Sequence, residues 1–519
     1  MSLKKMIGLP LHLYREYRSR QESQLQKRFL RTLTCDGPKN GKHILIGIMC
    51  FSGTKLPAEN AFIRYFYKKG YTVDVFTCHG ECACCVPQAF AFEKWLYCGA
   101  CLQKLSQMEK RLAGKVNFLK PSDFLSGKDY SAIREAVAER DFKKREDYIW
   151  QGIDLHDSIW YGIMRVDLKS YVSYEKDLPK IKLFAESVFA FSQAIQTYLR
   201  KNEMLGCIVS HGMYHLYGPF LDTANFCHVN GAYWNGAYMR PNTVFFGLNR
   251  HFFTSMIFED PKNWEHIHLS EEQKKTIVEK LTWHCPPLPQ DFLDRTRKYS
   301  KIFGMYTNIP WDGAVSNATP GFPDTQTYIS HVLEWFRANP DCLLIIRSHP
   351  HELLKRSRRA EKMWDVIKQF DLPENVWFIH PEDPIRSYMI ADIADASILY
   401  GGTMGLELIV AGKPVIQAGQ FFWTDKGFLF ECEGKESLHH YLDQVKAGTL
   451  KISEKMRENA LVYAWHFIYE RHLDMDYIKP DGKGGYLSIP DEELMKSETL
   501  ALIERSLENG TDTFKIDGP

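Results

Sequence analysis

Long apolar runs are missing from this 519-residue chain. No segment reaches the roughly 20 apolar residues that cross a bilayer as a helix, and the N-terminus lacks the continuous apolar core of a secretory signal. A cytoplasmic location is therefore expected. Net charge is missing too, since 65 Lys and Arg stand against 64 Asp and Glu for a formal +1 at pH 7. Neither that balance nor any regular basic-aromatic array supports an extended phosphate track, so nucleic acid is not an expected partner. Internal repeats, collagen-like periods and coiled-coil heptads are absent. So is an Asp-x-Asp in a strand-end loop: Asp74, Asp154 and Asp157 do not form that pattern, and Asp474-Met475-Asp476 follows a predicted helix.

What is present is a globular composition, 45% hydrophobic and 25% charged, over a length that builds two substantial cores. Charge is uneven only at the start, where Lys4, Lys5, Arg15, Arg18, Arg20, Lys27, Arg28 and Arg31 face only Glu16 and Glu22. A helix after Pro10 with Leu13, Tyr17, Leu25 and Phe29 on one side meets either anionic lipid heads or a partner surface, or packs on its own domain. The first reading makes the protein peripheral on the inner face of a membrane, alone or within a biosynthetic complex.

Thirteen cysteines raise the question of metal. Cys82, Cys85, Cys98 and Cys101 form two C-x2-C pairs separated by twelve residues, the spacing of a tetrahedral four-thiolate zinc site. Such a closed shell would be structural. Cys78, His79 and Cys84 are alternative ligands, and an iron-sulfur cluster, disulfides or free thiols are the other readings.

The apolar runs set the fold. Lys42 to Met49 reads as a buried strand, Phe51 to Leu56 as a loop feeding a helix through Tyr67, and Tyr71 to Phe76 as a second strand. Another alternating unit starts at Ile302 to Tyr306 and continues through the helix Thr325 to Phe336, the strand Cys342 to Ile346, the helix Glu361 to Phe370 and the strand Val376 to Ile379. The expected fold is α/β, two Rossmann-like domains facing a central cleft. Expected boundaries are a basic helical leader at 1–35, a first domain at 36–290 with a cysteine-rich insert at 78–101, a second at 300–460, and a helical return with an exposed tail at 461–519.

Polar residues gather where the strands of the second domain end. Arg347-Ser348-His349-Pro350 follows one strand, His380-Pro381-Glu382-Asp383 the next, with Ser387 and Tyr388 opening the helix after it. Gly401-Gly402-Thr403-Met404 then leads from a third strand into a helix carrying Glu407. Glycines admit a ligand close to the backbone, and the amides of a helix start favour phosphate. Thr403 is placed to cap that helix, and Glu407, one turn on, to accept hydrogen bonds from a ribose diol.

These turns, with Gly412-Lys413-Pro414, resemble the donor half of the GT-B glycosyltransferases of bacterial capsular and surface polysaccharide synthesis. The resemblance is good over roughly residues 300 to 430, and the cysteine insert marks an unusual subgroup. It implies a nucleotide-sugar donor on the second domain, with Glu407 on the ribose and Arg347, His349 and Thr403 near the phosphates. The expected donor-binding set is Asn308, Arg347, His349, His380, Ser387, Gly402, Thr403, Met404 and Glu407. It also implies a first domain that receives an oligosaccharide or lipid-linked saccharide acceptor. No metal is required for the chemical step in that scheme.

Transfer needs a base on the acceptor side. His211, in Ser210-His211-Gly212 after a buried strand, is the leading choice, with Asp154, Asp157 and Glu59 as alternatives. Gly53 and Thr54 in the first strand-helix turn, with Tyr214 and Trp234 among the nearby aromatics, are the expected acceptor contacts. A nucleotide-sugar epimerase, a polymer-phosphate transferase and a noncatalytic interaction protein are the competing functions.

Overall fold

Strands with no polar face need helices on both sides, and the two apolar runs beginning near His43 and Lys301 each build a parallel sheet covered in that way. The computed structural model describes residues 24–515 except 27, 52–54, 83–84, 86–93, 238, 312–318, 320, 354–359 and 483–484. Most of the basic leader, with Gly53, Thr54 and Cys84, lies outside the described residues. The chain forms two units, one of Met1–Gly162, Leu178–Phe252 and Arg471–Pro519, the other of Ile163–Asp177 and Phe253–Glu470.

The first unit contains β1 (His43–Gly47), β2 (Thr72–Phe76) and β3 (Asn117–Leu119), the small antiparallel pair β4 (Ile149–Trp150) and β5 (Ile153–Asp154), then β6 (Met204–Ser210), β7 (Gly231–Gly236) and β8 (Thr243–Leu248). Its main sheet runs β8-β7-β6-β1-β2-β3, parallel except for β8. Ile46 pairs with Val75 on one side and Ile208 on the other, so β1 is central and buried on both faces. The order reverses between β1 and β6, and the crevice at that point, beyond the carboxyl ends of the strands, is where such sheets take ligands. The helix Leu56–Lys68 leaves β1 with Pro57 in its first turn and buries Ala58, Phe62 and Phe66; Phe62 meets Trp234 edge to face at 5.7 Å.

The second unit contains β9 (Lys301–Tyr306), β10 (Cys342–Arg347), β11 (Val376–Ile379), β12 (Ala396–Leu399), β13 (Val415–Gln417) and β14 (Phe430–Glu431). All are parallel, in the order β11-β10-β9-β12-β13-β14. Here the reversal falls between β9 and β12. The crossover helix Thr325–Ala338 starts at Asp324, whose carboxylate accepts from the Thr327 amide at 2.7 Å.

Both units are the expected Rossmann-like α/β domains, with two corrections to the boundaries. The division falls between Phe252 and Phe253 rather than near residue 290. Phe253 stacks on Phe422 at 5.2 Å, and the buried Lys426 ammonium donates to the Ile257 carbonyl at 3.1 Å, tying this stretch to the second core. The stretch from Arg471 belongs to the first unit, where β15 (His472–Asp474) pairs antiparallel with β8, and the segment from Asp491, expected to be exposed, instead carries the helix Glu498–Asn509 that buries Leu500, Ile503 and Leu507. Spacings of three and four place those residues on one face, a period masked by the charges between them. Among the described residues no helix is long and apolar enough to cross a membrane.

Candidate functional site

In the second unit the strand-end turns are held by buried polar contacts. Arg347, 4% exposed, ends β10, and its guanidinium donates to the backbone carbonyls of Ile379, His380 and Asp383. Burial lowers its pKa against the charges of Asp383 and Glu352. The residue expected to pair with phosphate is therefore engaged in latching the turn after β10 to the turn after β11. Ser348 Oγ donates to Glu352 Oε1 at 2.9 Å, which fixes the base of the His349 turn. His349 Nδ1 accepts from the His351 amide at 3.1 Å, so in the neutral ring the proton sits on Nε2. His380 is exposed, its ring 4.9 Å from both Trp364 and Phe378.

On the other side of the reversal, β12 runs into Tyr400-Gly401-Gly402 and the seven-residue helix Met404–Val410. Thr403 occupies the position before that helix, but its side chain makes no capping hydrogen bond, contrary to expectation. The turn is shaped instead by Trp423, whose Nε1 donates to the Gly402 carbonyl at 2.8 Å. Glu407 is half-buried, and Tyr388, beside Ser387 at the start of the helix Ser387–Ile393, donates its hydroxyl to Glu407 Oε2. Burial raises the Glu407 pKa against that hydrogen bond. Asn308 lies just past β9, and its Oδ1 is buried without a hydrogen-bond partner among the described residues. A buried acceptor with nothing to accept, at the sheet's reversal point, is a place for a ligand donor.

The reversal point of the first unit holds a cluster that sequence reasoning named only in part. Lys55 Nζ lies 2.6 Å from Ser210 Oγ and 2.9 Å from His211 Nδ1, bridging the loop after β1 to the end of β6. An ammonium only donates, so the imidazole accepts from it with a ring nitrogen. His211 has φ 61°, a left-handed backbone that costs on the order of 1–3 kcal/mol in a non-glycine residue, and Gly212 follows at φ 63°. One turn along the helix from Lys55, Glu59 is 4% exposed, and its Oε2 has no partner among the described residues. Burial pushes its carboxyl up to about 8 against the charge of Lys55. Trp234, expected to contact sugar, is buried under Lys55, with the ammonium 5.4 Å from its ring centroid. A single lysine in a loop, as Lys55 is, carries no spacing signal in the sequence.

Asp154 and Asp157 make no hydrogen bond to Lys55, Ser210 or His211 among the described residues; they pair with Arg145 and His156 instead. Arg145 pairs with Asp154 at 2.6 Å and with Asp157 at 3.4 Å, and His156 Nδ1 lies 2.8 Å from Asp157. Together with Tyr214, which has φ 65°, they line a cavity in the first unit.

Among the described residues no three His, Cys, Asp or Glu side chains are grouped to hold a metal ion, so these residues do not assemble the cage expected at Cys82, Cys85, Cys98 and Cys101. Cys101 turns toward β1 instead, where its thiol accepts from the Phe51 amide at 3.3 Å and hydrogen-bonds to Cys50. That hydrogen bond, followed by burial, raises the Cys101 pKa, and burial raises that of Cys78. Cys50, three residues past β1, lies outside the C-x2-C spacing.

No protein-family model matches the chain, and no curated protein matches it. Solved structures do. The chain is similar to Thermosulfurimonas dismutans KpsC, a beta Kdo 2,4 transferase, at 13% identity over 56% of this chain and 86% of that one, with a TM-score of 0.37. It is also similar to a putative UDP-N-acetylglucosamine 2-epimerase from Listeria monocytogenes, at 11% identity over 92% and 98% of the two chains with a TM-score of 0.26. A glycosyltransferase from Rickettsia africae is similar at 10% identity over 90% and 99%, with a TM-score of 0.27.

Proposed function

We propose that this protein is a glycosyltransferase of the GT-B type that moves a sugar from a nucleotide-sugar donor to a hydroxyl of a polysaccharide or glycolipid acceptor. The observation that carries the reading is that polar groups stand past the strand ends at the reversal point of each sheet, Asn308 and the Tyr388–Glu407 pair in one unit and Lys55–Ser210–His211 in the other.

In this reading the second unit takes the donor. Glu407 binds the ribose diol through the oxygen that Tyr388 leaves open, while His349 Nε2–H, Ser387, Thr403 and the amides from Gly402 to Met404 meet the phosphates. Arg347 positions the His349 turn. The first unit takes the acceptor, whose hydroxyl oxygen attacks the anomeric carbon as the bond from that carbon to the phosphate oxygen breaks. His211 receives the hydroxyl proton on the ring nitrogen whose lone pair Lys55 vacates, the ammonium keeping its hydrogen bond to Ser210 Oγ, and the leaving phosphate keeps the electron pair and is stabilised by hydrogen-bond donors already in place. The basic leader is proposed to hold the enzyme at an anionic membrane surface or in a biosynthetic complex.

The test is native mass spectrometry of the folded chain with UDP-, GDP-, CMP- and dTDP-linked sugars and the free nucleotides. Selective binding of one donor, weakened by Glu407→Ala, is expected. Absence of any hit, or binding indifferent to Glu407→Ala, overturns the assignment. Product formed from donor alone would identify an epimerase instead.

A further inference from the structure

The cavity beside the His211 turn encloses about 160 Å3. That is far more than one water needs and less than the roughly 300–1,000 Å3 of pockets for drug-sized ligands. Its walls include Arg145, Asp157, Ser158, Tyr161, Asp222 and His251. Three carboxyls around one space invite a cation, but Arg145 already pairs with Asp154 and Asp157, and no three ligating groups among the described residues are set for a metal.

The remaining carboxyl, Asp222, accepts from Ser158 Oγ at 3.0 Å. Burial pushes Asp222 up to about 8 against that hydrogen bond, and the charges of Asp157 and Asp154 push the same way while Arg145 opposes them. It therefore carries its proton at neutral pH. Burial works to raise Asp157 as well, but the hydrogen bond from His156 and the charge of Arg145 hold it below its ordinary value. Burial takes His251 down to about 4 against the charge of Asp157, so that ring is neutral. The cavity lining thus includes an acid O–H, a carboxylate and a neutral imidazole, together with Tyr161. Two carboxyls driven to opposite protonation states supply a donor and an acceptor from one residue type. Alternating donors and acceptors suit neighbouring hydroxyls, and an aromatic face suits the C–H side of a sugar ring.

We propose that this cavity is a carbohydrate subsite taking one neutral sugar residue of the acceptor, with Asp222 donating to one ring hydroxyl and Asp157 accepting from the next. The assignment builds on the acceptor role given to the first unit. The subsite sets which sugar is presented, and it adjoins His211 along the chain through Gly212 and Tyr214.

Saturation-transfer NMR on the full chain with the methyl glycosides of glucose, galactose and N-acetylglucosamine, each at millimolar concentration, tests this. One glycoside is expected to bind selectively at pH 7 and to lose about tenfold in affinity by pH 9, the ratio of protonated fractions for a group titrating near 8. Asp222→Asn keeps a donor and a neutral side chain, so binding is expected to persist with a flat pH profile, while Asp157→Asn is expected to lose about tenfold. No binding by any of the three, or binding indifferent to both pH and Asp157→Asn, overturns the subsite. Nucleotide-sugar binding, followed in the same samples, separates the two readings. A retained donor with no glycoside overturns the subsite alone, whereas a bound glycoside with no donor overturns the transferase.

Discussion

Arg347 and Glu407 looked alike as ligand-binding residues, and their partners give them different roles. Arg347→Ala leaves carbonyls at residues 379, 380 and 383 without their donor in a buried place. A loss of about 1–3 kcal/mol in stability is expected by denaturant titration, with donor affinity falling only as the His349 turn loosens. Glu407→Ala should do the reverse, costing about 1.4 kcal/mol, or tenfold, in donor binding at nearly unchanged stability. His211→Ala is expected to suppress turnover at least a hundredfold while donor binding stays the same, as a base contributes about 10²–10⁴-fold. Normal turnover in that variant would remove His211 from the chemistry. Among the thiols, Cys35 is exposed whereas Cys101 is half-buried and hydrogen-bonded to the free thiol of Cys50, so timed alkylation with mass mapping is expected to label Cys35 well ahead of Cys101.

At the scale of elements, the C-terminal return acts as a strap across the helix Leu56–Lys68. Arg64, whose side chain is 2% exposed, donates through Nε to Asp491 at 2.8 Å and also to the Ile489 carbonyl at 2.7 Å. Tyr65 donates to Glu504 at 2.7 Å. Removing the acid leaves a buried guanidinium with less to bind, so Asp491→Ala is expected to cost about 3 kcal/mol in the unfolding of the first unit. An effect below about 0.5 kcal/mol would mean that the strap is held by Leu500, Ile503 and Leu507 alone. Because Lys55 directly precedes this helix, its seating decides how the ammonium meets His211.

For the whole molecule, Glu59 links stability to pH. Its folded pKa of about 8 lies above the roughly 4.3 of a free Glu. Between those values the folded state holds a proton that the unfolded state has released, so this contribution weakens as pH rises from about 4 to about 8 and is flat above. Glu59→Gln is expected to raise Tm at pH 8 and to leave it unchanged near pH 4; parallel curves for the two proteins would show that Glu59 is ionised in the folded state.

Sequence by itself determined the two α/β units, because strands buried on both faces must be apolar along their length, and runs such as Ile44–Ile46 and Leu343–Ile346 announce that locally. It also set Asn308, the helix carrying Glu407 and the His211 turn just past the ends of such strands. Tertiary structure alone decided which of these groups face one another. Tyr388 on Glu407, Lys55 on His211, Cys50 on Cys101 and Asp222 near Asp157 are separated by 19, 156, 51 and 65 positions along the chain. No local period encodes such pairs, and the protonation states that follow from them arise only when packing removes the water.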